Sequence, residues 1–119
     1  MENKTKTIIC DIDGTISHHT GDITTIHQDH LQLLPGVKER FMEWDRKGYN
    51  IILLTGRRES YRQATEQQLS DVGIFYDQLV MGVKNGQRIL INDMKPNNTD
   101  PTAIAVNLVR NEGMEKVNV

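Results

Sequence analysis

Two carboxylates, Asp11 and Asp13, stand one residue apart behind the apolar run Ile8-Ile9-Cys10 and before Gly14-Thr15. A short β-rich run closed by a turn signal reads as a buried strand. Open α/β sheets bind ligands in the crevice beyond such strand ends. Side chains alternate along a strand, so both acids can face one ligand only if the chain breaks near Ile12, which Gly14 permits. Two convergent carboxylates suit a hard cation such as Mg²⁺, which takes oxygen ligands and keeps water or substrate phosphate in its shell. Asp-Gly alone is also an ordinary turn dipeptide, so the downstream chain decides between the readings.

The elements that would position these acids follow in order. Residues 16–34 read as a small flap, with Thr20-Gly21-Asp22 as a turn and Ile23 to Ile26 as a short returning strand. It carries all four histidines, His18, His19, His27 and His30. With no cysteine or tight His-Glu pattern beside them, they read as polar flap residues, not a zinc site. Pro35-Gly36 opens a helix whose stripe of Val37, Phe41 and Trp44 faces the core. Tyr49 to Leu54 is a second strand, apolar enough for burial on both faces. Glu59 to Val72 is a second helix, with Tyr61, Ala64, Leu69 and Val72 towards the core. Gln78 to Met81, Arg88 to Ile91 and Thr102 to Leu108 supply strands three to five, and residues 109–119 read as a surface arm. Strands alternating with helices predict an α/β fold, with a mostly parallel five-stranded sheet in a Rossmann-like three-layer sandwich. The connection at 82–87 is too short for a full helix, so this is a pared-down version.

Polar groups recur at the strand ends: Asp11 and Asp13, then Thr55-Gly56-Arg57, then Lys84, then Asn92-Asp93. A parallel sheet gathers these ends along one edge. The run Asp11-Ile12-Asp13-Gly14-Thr15 resembles the first signature of the haloacid dehalogenase superfamily of phosphohydrolases. Leu53-Leu54-Thr55-Gly56-Arg57 resembles its second signature, Met81-Gly82-Val83-Lys84 its lysine signature, and Ile89-Leu90-Ile91-Asn92-Asp93 its acidic fourth. The likeness runs over about residues 7–96. It implies a Rossmann-like fold, Mg²⁺ dependence and phosphatase activity, with Asp11 as nucleophile and Asp13 as general acid/base. Asn92 departs from the usual pair of acids in the fourth signature, which leaves fewer negative charges for Mg²⁺.

Phosphate chemistry fits the same residues. A phosphoryl group in transfer carries charge on three equatorial oxygens, so catalysis is mostly positioning and neutralisation. Asp11 can form an aspartyl phosphate, and a divalent cation can bridge two groups that otherwise repel. Asp11, Asp93 and the carbonyl of Asp13 are the expected metal ligands. Thr55, the Gly56 amide, Arg57 and Lys84 are the expected phosphate binders, with Arg88 a competitor for the lysine's work. Arg58, Arg62 and Lys95 belong to the same edge by sequence and read mainly as solvated.

Bulk properties narrow the partners. The 119 residues fit one domain, and 37% apolar with 25% charged residues is globular composition. The net charge of -2, without a basic block, argues against nucleic acid. The single cysteine fits a reducing compartment, and no apolar run reaches membrane-spanning length. Met1 to Lys6 leads directly into the first strand, without a signal peptide. A cytoplasmic protein without a membrane is therefore expected. With no room for a cap domain, the site is expected to be uncapped, open to a bulky substrate or to closure by another subunit of a homo-oligomer. The resulting expectation is a Mg²⁺-dependent phosphomonoesterase acting on a small phosphorylated metabolite such as a sugar phosphate. A non-catalytic metal- and phosphate-binding regulatory module and a nucleic-acid end phosphatase are the alternatives. A binding module needs no general acid, which favours the enzyme.

Overall fold

The computed structural model describes residues 5–19, 26, 30–97 and 99–119. The returning flap strand expected at Ile23 to Ile26 and the role of His27 lie largely outside them. Three strands form a parallel sheet in the order β1 (Thr7–Asp11), β2 (Asn50–Leu54), β3 (Gln78–Val80). Helix α1 (Val37–Arg46) joins the first pair; a 3₁₀ turn (Glu59–Tyr61) running into α2 (Arg62–Asp71) joins the second. Asp11 is level with Leu54, and Leu54 with Val80, so the three carboxyl ends share one row.

Register also sorts the two faces of the sheet. Ile8 is level with Ile51, Cys10 with Leu53 and Leu53 with Leu79, and this face is where the core lies. Ile51 and Leu53 are fully buried there, with Phe41 and Trp44 of α1 in the same cluster. The other face holds Ile9, Ile52, Leu54 and Val80, of which Ile9 is 49% exposed. Two right-handed crossovers that step in the same direction across a sheet place both helices on one face. Leu69 of α2 accordingly joins Phe41 and Trp44 of α1 in one cluster, so both helices of the described chain pack on this face. On the other, Ile9 and Val80 stand exposed where a third layer was expected.

The fourth and fifth strands expected at Arg88 to Ile91 and Thr102 to Leu108 are also absent among the described residues. The reason is the path of the chain. Gly82 and Val83 donate to the carbonyls of Arg57 and Thr55, at 2.7 and 2.9 Å, and Arg88 reaches Asp11 at 3.7 Å. Both ends of the connection thus lie at the carboxyl edge, whereas a further parallel strand must begin at the opposite edge after a crossover of a dozen or more residues. Such a crossover would also have carried the helix for the open face. Ile89 and Ile91 instead stand 79% and 89% exposed.

Residues 109–119 correct the expectation of a surface arm. Met114 and Val117 enter the core, and the Met114 amide donates to the Pro35 carbonyl at 2.7 Å. Gly36 makes room for this return: a Cβ there would lie 2.6 Å from the Glu115 nitrogen. Among the described residues, no helix is long and apolar enough to cross a membrane.

Candidate active site

β1 ends at Asp11, and the backbone then turns about Ile12. The Ile12 carbonyl accepts from the amides of Thr15, Ile16 and Ser17 at 3.2, 2.8 and 3.2 Å. This is the break that convergence of the acids requires. It buries Ile12 and Ile16 completely and leaves the flap base to pair, His18 donating to Gln32 and Leu34 to Ile16.

Asp11 is half-buried. Burial raises its carboxyl above the ordinary value, and the neighbouring Asp13 charge adds to this. Arg88, the Ile12 amide and the Thr15 hydroxyl oppose it without cancelling it. Thr15 Oγ1 lies 3.4 Å from Asp11 Oδ2, and Arg88 Nη1 3.7 Å from Asp11 Oδ1. Arg88 is thus the cation that pairs with Asp11 among the described residues, while Lys84 stands exposed one residue after Val83.

Arg57 was expected to read the substrate, and the structure turns it inward. It is 7% exposed, and its Nε and Nη2 donate to the two oxygens of Asp13 at 2.9 and 2.8 Å. Nη1 donates to Thr65 Oγ1 and Gln68 Oε1 of α2, at 3.0 and 2.5 Å. Four of the five guanidinium hydrogens are used this way. The buried face of α2 is accordingly part polar, Thr65 and Gln68 beside the expected Leu69, while Tyr61 and Val72 pack partly buried against the core as expected. Gln68 also donates to the Ile26 carbonyl, which links α2 to the flap. Thr65 and Gln68 are one helical turn apart, a spacing that could have marked them as a polar partner pair.

Thr55 follows β2, next to the Asp11 level of the sheet, and is 1% exposed. Its hydroxyl oxygen accepts from the Arg57 amide at 3.1 Å, leaving its own proton to donate. Gly56 is exposed beside it. Arg62, named as a possible anion reader, pairs with Glu59 and Glu66 and donates to the Leu79 carbonyl.

Asp93 does not join the acid pair. It sits on the exposed run, where its carbonyl accepts from Thr102 Oγ1 at 2.6 Å, and no group of three acids, histidines or cysteines forms among the described residues. The Asp11 carboxylate and the Asp13 carbonyl still fit Mg²⁺, which takes oxygen ligands, commonly one or two of them carboxylates, and completes its shell with water and phosphate.

Residues 5–99 match the family of the polynucleotide kinase PNKP phosphatase domain. The chain belongs to this family. That family lies within the haloacid dehalogenase superfamily, and the matched span takes in the acid pair, Thr55, Lys84 and Asp93. A chain in the solved structure of a Pnkp1/Rnl/Hen1 complex is 36% identical over 71% of the present chain, with a TM-score of 0.58. A chain in a structure of the Pnkp1/Rnl/Hen1 RNA repair complex is also 36% identical over 71%, with a TM-score of 0.54. The chain spans 30% and 28% of the length of these two. No protein with a curated description matches. The expectation against nucleic acid is overturned here, since the family is that of a polynucleotide kinase and the second complex is one of RNA repair. Net charge was a poor guide because it sums the whole chain and carries no information about where its cations stand.

Proposed function

We propose that this phosphatase removes a terminal phosphate from a polynucleotide. The observation that carries the reading is the family match over residues 5–99, laid on an acid pair at the end of β1. In the reaction, an oxygen of Asp11 attacks phosphorus and the bond from phosphorus to the nucleoside oxygen breaks. Asp13 gives its proton to that leaving oxygen. Asp13 next takes a proton from water, the water oxygen attacks phosphorus, and the bond to Asp11 breaks to restore the carboxylate and release phosphate. Thr55 and the Gly56 amide donate to phosphoryl oxygens, while Arg88 and Lys84 supply positive charge. Asp11 and the backbone carbonyl of Asp13 would hold Mg²⁺, which would neutralise charge on the attacking carboxylate and the phosphate. Arg57 donates to both oxygens of the ionised Asp13, the form that takes the proton from water.

The test compares oligonucleotides bearing a 3′- or 5′-terminal phosphate with a panel of sugar phosphates, with Mg²⁺ and with EDTA. One of the two oligonucleotides is expected to be the best substrate, with release lost in EDTA and in Asp11→Asn. Turnover of a sugar phosphate with neither oligonucleotide cleaved would overturn the reading in favour of a small metabolite.

A further inference from the structure

The family match ends at residue 99, yet the chain beyond it returns to the acid turn. Asn111 ties it there at three points. Its amide nitrogen donates to the Gly14 carbonyl at 2.9 Å. Its side chain donates from Nδ2 to the His19 carbonyl at 3.0 Å and accepts from the His19 amide at 2.7 Å. Asn111 adopts φ 66°, a left-handed conformation that asparagine tolerates better than most side chains. The residue before it, Arg110, is thereby laid across Gly14. A Cβ built on Gly14 would lie 3.1 Å from Arg110 Cγ and 3.7 Å from its Nε. Gly14 at φ +89° directly follows Asp13, so a cationic side chain on an exposed residue is held against the loop that carries both acids.

Nothing in hydrolysis of the terminal phosphate requires this arginine. Asp11 already has Arg88, and Asp13 already has Arg57. A guanidinium at the rim of a phosphate site suits a second anion on the same substrate, because its planar fork matches phosphate oxygens and it stays charged at any working pH. We infer that Arg110 binds a backbone phosphate next to the terminal one, and so selects a polyanionic chain end over an isolated phosphomonoester. Asn111 is its positioning residue. The inference rests on the proposed polynucleotide substrate and extends it.

The experiment measures kcat and KM for a phosphorylated oligonucleotide and for p-nitrophenyl phosphate, at several salt concentrations, in wild type, Arg110→Ala and Arg110→Lys. Binding of the same oligonucleotide to Asp11→Asn protein, with and without Arg110→Ala, is followed by fluorescence anisotropy. Loss of one phosphate contact is expected to raise the oligonucleotide KM roughly tenfold more than that of p-nitrophenyl phosphate. The slope of log affinity against log salt should become shallower by about 0.7, the value for one phosphate on a single strand. Arg110→Lys should keep most of that slope. Equal losses on both substrates with an unchanged salt slope would overturn the inference and leave Arg110 as packing for the Gly14 turn. If wild type binds the oligonucleotide with the Arg110-dependent slope but does not cleave it, the proposed activity fails while the binding inference stands. If it cleaves the oligonucleotide and Arg110→Ala changes neither KM nor slope, the reverse holds.

Discussion

Arg57 and Asp13, 44 residues apart in sequence, meet in a two-point ion pair whose arginine side chain is 3% exposed and whose carboxylate is 14% exposed. The pair ties the acid turn after β1 to the start of the crossover into α2. Removing one partner of a buried pair leaves the other charge uncompensated, at a cost of about 3–5 kcal/mol. Arg57→Met is expected to lower unfolding stability by that order, measured by urea denaturation, and adding Asp13→Asn is expected to recover part of the loss. A midpoint unchanged in Arg57→Met would show that the pair holds nothing together.

Asp11 supplies a pH prediction. Burial raises its carboxyl in the folded state, so between the unfolded value of about 3.9 and that raised value the folded protein binds more protons. Stability contributed by this group therefore falls as pH rises through the window, and the penalty is complete above it. In metal-free protein at neutral pH, Asp11→Asn is expected to melt higher than wild type while lacking activity. At pH 3, below the window, the melting difference should shrink. A wild type that melts higher than the variant at pH 7 in EDTA would contradict this.

Cys10 points into the core beneath the acids, where burial, with the Asp11 charge second, pushes its thiol up to about 12. The thiolate is the reactive form, and only about one in 10⁴ molecules would carry it at pH 8. Folded protein is expected to be inert to a disulfide reagent such as DTNB at that pH and to release one equivalent of thionitrobenzoate once unfolded in urea. Rapid labelling without denaturant would mean that the strand opens.

The return of the C-terminal segment can be weighed with methionines. Met114 is 2% exposed within the core, and Met94 is 51% exposed on the run that left the sheet. Met114→Ala is expected to cost about 2–5 kcal/mol, the range for emptying a buried methionine site. Met94→Ala should stay within about 0.5 kcal/mol, as surface changes do. Equal effects in thermal denaturation would mean that residues 109–119 do not belong to the core.

What the sequence determined by itself is local. Alternation and apolar runs placed β1, β2 and β3. The Val37, Phe41 and Trp44 stripe placed the buried face of α1. The acid pair before Gly14 called for a break at Ile12, which the turn around the Ile12 carbonyl supplies. All of these depend on residues within a few positions of one another. The tertiary structure decided the rest. The Arg88 to Ile91 run has strand composition, but composition says only that a segment favours burial, not whether its connection lets it reach the sheet. Whether Arg57 faces solvent or Asp13 depends on a polar pair in α2, and whether Met114 is tail or core depends on the space that Gly36 leaves. Contacts between distant segments are set by the path of the whole chain, and no short stretch of sequence contains it.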